Sequence, residues 1–120
     1  MNPQTLTPAA HARVSRRTLA REVRDAFPPM GIYAIRARAS GCSRVAASRN
    51  VHAALNRARF ELRMGKYADR SLQAAFNERA DDLTFEILEL VRERQEADFD
   101  YAAELAALEQ MYRDLQAPAP

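Results

Sequence analysis

The chain holds one cysteine, no tryptophan, three glycines and a single lysine. With Cys42 alone, no intrachain disulfide can form, and a reducing cytoplasm is the expected setting. No histidine lies near Cys42 in sequence, so it reads as an incidental strand residue rather than a nucleophile. No apolar run approaches the ~18 residues that a membrane span requires. Met1 to Pro8 is polar and lacks the apolar core of a secretion signal, so neither membrane nor export is expected. There is no Gly-rich phosphate loop, no Ser-His-Asp order and no Cys-x-x-Cys pair. His11 and His52 stand at no familiar metal-ligand spacing and are expected at the surface.

What is present is arginine. Of 18 basic residues only Lys66 is lysine. The guanidinium presents a planar fork of donors that matches phosphate oxygens. A genome rich in G and C would account for the choice of arginine over lysine, but not for its placement. Residues 1–80 carry 15 Lys+Arg against 5 Asp+Glu, a net of +10, while residues 81–120 carry 3 against 11, a net of −8. Such segregation predicts either an anion-binding face or a self-complementary charge pattern that would pair two copies of the chain.

At 120 residues and 48% hydrophobic content the chain has enough material for one core. Thr7-Pro8 reads as a helix start, and Arg13, Arg16, Arg17, Arg21 and Arg24 crowd the helix that follows until Pro28-Pro29 stops it. Gly31 to Arg38 alternates as a strand, Ala39-Ser40-Gly41 is a turn, and Ser43 to Ser48 makes a second strand, which together predict a hairpin. Asn50 is the expected N-cap of a helix with Val51, Ala54, Leu55, Ala58 and Leu62 inside and Gly65 at its end. Asp69 caps a short helix with Leu72, Ala75 and Phe76 inside. Leu83 to Leu90 is a third strand with Phe85 and Ile87 as core candidates. Asp98 and Asp100 precede a last helix, Tyr101 to Leu115, with Leu105, Leu108, Tyr112 and Leu115 inside. The expected class is α+β: a small three-stranded, mainly antiparallel sheet flanked by helices. An N-terminal helical extension (1–28), one domain (29–116) and a frayed tail (117–120) complete the division.

That order, with Pro28-Pro29-Met30-Gly31-Ile32-Tyr33 entering the first strand, resembles the GIY-YIG nuclease family. The likeness runs on through Asn56 to Gly65, Leu72-Gln73, Phe76-Asn77 and Phe85 to Glu89, and ends in the last helix. The resemblance implies a phosphodiester-cleaving site in which two strand tyrosines, a helix arginine and a glutamate surround one divalent metal, magnesium. The metal would draw charge from the scissile phosphate, and the arginine would stabilise the charge building there. Carried over, Tyr33 matches the first tyrosine and Glu109 the metal-binding glutamate. The second motif falls on Arg44-Val45-Ala46, so its tyrosine is replaced by Arg44. The arginine position falls on Ala54, and a histidine common one turn later falls on Ala58. The resemblance therefore implies a degenerate member.

Both retained residues have a plainer reading. Tyr33 can pack its ring in the core, and Glu109 can be an ordinary exposed helix residue. Three functions stay open. The first is binding of nucleic-acid backbone, expected to be DNA, through Arg44, Arg49, Arg57 and Arg59 without effective cleavage. The second is a magnesium-dependent endonuclease using Tyr33, Glu109 and a relocated arginine. The third is a protein–protein module, including a homodimer joined through the opposite charge halves.

Overall fold

The computed structural model describes residues 27–116. The expected N-terminal arginine-rich helix and the tail at 117–120 lie outside the described residues. The described part is α+β, as expected, and runs β1 (Gly31–Ala37), β2 (Ser43–Ser48), α1 (Val51–Arg63), α2 (Arg70–Glu78), a 3₁₀ turn (Ala80–Asp82), β3 (Leu83–Leu90) and α3 (Tyr101–Gln116).

The three strands form one sheet in the order β2-β1-β3, antiparallel throughout. The hairpin closes where Gly41, at φ +79°, returns its N–H to the Ala37 carbonyl. Only glycine adopts that left-handed backbone without steric penalty. Gly31 is required for another reason. A Cβ at this position would collide with the Glu89 backbone carbonyl, because β3 crosses β1 closely at a bulge that leaves Leu88 outside the pairing.

Strand periodicity then divides the side chains between two faces. Ile35 and Ala37 pack with Leu55, Ala58, Leu62, Leu72 and Leu83, so α1 and α2 cover one face. Ile32, Ala34 and Val45 pack with Leu88, Leu108 and Tyr112, so α3 covers the other. Burying the largest of these side chains stabilises the fold by about 1.5–3 kcal/mol each. The helix starts are fixed locally. Asn50 Oδ1 accepts from the Ala53 N–H, Asp69 Oδ1 from the Leu72 N–H, and Asp100 Oδ1 from the Ala103 N–H. Gly65, at φ +73°, ends α1 as expected. The Pro29 carbonyl accepts from the Val51 N–H, tying the entry of β1 to the start of α1.

Two expected core residues lie elsewhere. Ile87 is 36% exposed because β3 is an edge strand and the helices cover it only in part. Leu115 is 69% exposed. It stands in the last turn of α3, ten residues beyond Leu105 and about 15 Å along the helix, outside the described core clusters. Cys42 sits in the turn ahead of β2, not in a strand, and its sulfur accepts a hydrogen bond from Ser40 Oγ.

Candidate nucleic-acid interface

Tyr33 projects from β1 toward the face covered by α1 and α2, because it alternates with the buried Ile35 and Ala37. Its partner across β2 is Ala46, which is too small to fill the space beside the ring. Arg44 lies two residues earlier on β2 and therefore on the same face. From α1, the row Ala54, Arg57, Ala58 and Glu61 turns toward this corner at helical spacing. The connection between α1 and α2 closes the far side with Tyr67 and Ala68. The result is an open cleft of about 470 Å³. Its alanines, Ala47, Ala53, Ala54, Ala58 and Ala68, leave the volume, and Tyr33, Tyr67, Arg44, Arg57 and Glu61 supply the polar rim.

The electrostatics of the cleft are shared. Burial pushes the Tyr33 phenol above its ordinary value, Arg44 draws it back down, and Glu109 and Glu61 push it further up. Tyr67 is likewise raised by burial and lowered by Arg44, and it also feels Tyr33. Both hydroxyls therefore stay protonated at neutral pH and act as hydrogen-bond donors. Arg57 contacts Glu61 through Nε at 3.4 Å while its side chain stays 80% exposed. Most of its donor fork faces solvent.

The residues singled out from sequence divide. Tyr33, Arg44 and Arg57 line the cleft. Arg49 is exposed beyond the end of β2 and does not line it. Arg59 turns toward β3, where its guanidinium stacks 4.4 Å from the centre of the Phe85 ring. Ala54 and Ala58, the positions where an arginine and a histidine were expected from the resemblance, do form part of the cleft lining.

Glu109 comes near enough to act on Tyr33 electrostatically but does not line the cleft. It stands at the outer edge of β2. Val45 and Ala47 turn their backbone groups away from β1, and α3 meets them there. Glu109 Oε2 accepts the Ala47 N–H at 2.7 Å, Arg113 Nε donates to the Val45 carbonyl at 3.3 Å, and Glu109 Oε1 faces Arg113 at 3.5 Å. A magnesium ion asks for hard oxygen donors with room for several waters. As arranged, Glu109 turns its oxygens to the edge of β2 and to Arg113, and Glu61 in the cleft is paired with Arg57, so no set of hard oxygens converges on the cleft for that ion. Among the described residues no group of three or more His, Cys, Asp or Glu side chains gathers where it could hold a metal.

Tyr67 was not singled out from sequence, and Glu61 and Gln73, though within the segments that carry the resemblance, were given no role there. Gln73 Oε1 accepts the Tyr67 N–H at 2.9 Å, while Gln73 Nε2 donates to the Leu62 carbonyl at 3.0 Å and to Asn77 Oδ1 at 2.9 Å. The amide thus pins the connection between α1 and α2. The available signal was the short spacing of Gly65, Tyr67 and Asp69, which fixes a tyrosine in a tight turn after an arginine-rich helix.

No protein-family model and no curated protein matches the sequence. Solved structures do match. The catalytic domain of the homing endonuclease I-TevI superposes with a TM-score of 0.56 at 22% identity, covering 72% of this chain and 87% of that one. A mutant of the catalytic domain of intron endonuclease I-TevI gives a TM-score of 0.58 at 17% identity, covering 72% of this chain and 82% of that one. The described residues thus have the GIY-YIG-like fold that the sequence resemblance implies.

Proposed function

We propose that this chain binds nucleic-acid backbone, with DNA as the expected ligand, in the cleft between Tyr33 and Tyr67, and that its nuclease chemistry is impaired. One arrangement carries this reading. Two neutral phenols and two guanidiniums rim a single open cleft, while the acid expected to hold a metal is tied to the edge of β2. Phosphate oxygens accept hydrogen bonds from both kinds of donor. Arg44 and Arg57 supply the charge, and Arg49 and Arg59 flank the site without lining it.

The test is fluorescence anisotropy with a labelled DNA oligonucleotide at low salt. Wild type binds, and Arg44→Ala and Arg57→Ala each weaken binding about ten-fold, as for the loss of one charge-assisted contact. Arg92→Ala, on the side covered by α3, changes nothing. Absence of binding, or an equal loss from Arg92→Ala, defeats the reading.

One observation favours a second reading, a magnesium-dependent endonuclease. Arg57 lies one turn from Ala54 in the same cleft, where a relocated arginine would stand. In that case Glu109 must leave Ala47 and turn inward. Magnesium-dependent cleavage of nicked, linear or branched DNA, abolished in a folded Glu109→Ala protein, would establish it. Inertness across those substrates leaves the binding reading in place.

A further inference from the structure

A second hollow of about 410 Å³ adjoins the cleft along α1, lined by Arg57, Phe60, Glu61, Met64 and Lys66. Arg57 and Glu61 line both hollows, so the two adjoin across that ion pair. Phe60 is 56% exposed and Met64 54% exposed. They stand four residues apart, hence one above the other on the helix surface. An amphipathic helix has no packing reason to place a phenylalanine on its outer face, and neither residue belongs to a described core cluster. The pair forms an apolar floor with a cation at each end, Arg57 beside the cleft and Lys66 at the terminus of the helix.

Resting on the binding reading above, we infer that this hollow takes an unpaired nucleobase, stacked on Phe60, of a strand whose phosphate lies in the Tyr33 cleft. A base offers a flat apolar face to the ring and edge atoms to water, and its adjoining phosphates meet Arg57 and Lys66. Stacking of this kind tolerates any base. A base inside a duplex is already stacked on its neighbours and cannot be lent without unpairing. The ligand class is therefore single-stranded nucleic acid, or a strand with a frayed or displaced base, rather than intact duplex.

The chain has no tryptophan, so Phe60→Trp introduces the sole indole as the surface on which the base would stack. Wild type, Phe60→Ala and Phe60→Trp would be titrated with a labelled single-stranded DNA oligonucleotide and with the duplex of the same sequence. Phe60 is largely exposed, so neither substitution opens a core cavity, and circular dichroism checks the fold. The expected results are tighter binding of the single strand by wild type and a loss of roughly ten-fold in Phe60→Ala for that strand only. The salt dependence should not change, because no charge is removed. Phe60→Trp should bind as wild type does, with its fluorescence quenched at saturation. Binding that is indifferent to Phe60, or an unquenched indole at saturation, overturns the inference while leaving phosphate binding intact. Absence of binding by wild type overturns both. Self-association in light scattering that disappears in Phe60→Ala would assign the hollow to a second copy and also overturn it.

Discussion

The hydroxyls of Tyr33 and Tyr67 share one guanidinium, that of Arg44, and burial holds both phenols above the ordinary value of 10.0. A raised phenol binds its proton more tightly in the folded chain than in the unfolded one. Its contribution to stability is thus fully present below pH ~10 and is lost as pH rises through the folded-state value. The melting temperature should be flat across neutral pH and fall above ~10. Replacing both tyrosines by phenylalanine should shallow that fall without touching the neutral plateau. Tyr112 will leave a residual slope, since its hydroxyl donates to Glu89 at 2.8 Å and is raised by that bond. A double variant with the wild-type alkaline slope would show that the two rings do not share a desolvated corner. Tyr33 was legible in sequence because it follows Gly31-Ile32, and Gly31 itself has a steric cause in the Glu89 carbonyl. Tyr67 was not, because its place depends on Gln73 reaching across from α2 to the connection before it, a contact that no local pattern announces.

Most elements could be read from the chain because each carries its own boundary chemistry. Asn50, Asp69 and Asp100 cap the three helices, and Gly41 and Gly65 take the left-handed turns. What could not be read is how α3 meets the sheet. Glu109 looks like an exposed helix residue or a metal ligand, yet with Arg113 it occupies the outer backbone groups of β2. An edge strand otherwise presents free N–H and C=O groups to other chains, and this pair of side chains covers two of them. Glu109→Ala should therefore cost about 1–3 kcal/mol, the usual penalty for a partly buried donor left without its acceptor. For a domain of this size that corresponds to a fall of roughly 4–8 °C in melting temperature per kcal/mol. Glu109→Gln keeps a carbonyl oxygen for the Ala47 N–H and should lose less. A surface ion pair alone would be worth ~0–1 kcal/mol. Equal, negligible shifts in both variants would reduce the contact to that and release Glu109 for another role.

Across the whole molecule, the charge segregation along the chain becomes a segregation of faces. Among the described residues, 27–80 carry ten basic and three acidic side chains, and 81–116 carry three and eleven. The first group includes α1 and α2 on one side of the sheet, and the second includes α3 on the other. A polyanion is thus drawn to the cleft side and repelled from the α3 side, which orients encounter before any contact forms. The same polarity would let one copy meet another head to tail. Such a contact is heterologous and extends rather than closing into a dimer, so charge alone does not specify the pair that sequence suggested. The number of cations engaged can be counted by salt. For a single strand, log K falls against log salt with a slope of about −0.7 per phosphate contact. If Arg44 and Arg57 of the cleft and Lys66 of the adjoining hollow touch phosphate, the slope is about −2.1; if Arg49 and Arg59 join them it is about −3.5. The geometry favours the smaller value, because Arg59 is held over Phe85 and Arg49 lies outside the cleft. Arg59→Ala should accordingly leave the slope unchanged and Arg57→Ala should reduce it by about a third. A steep slope that Arg59→Ala relaxes would move the ligand off the cleft and across the whole outer surface of α1.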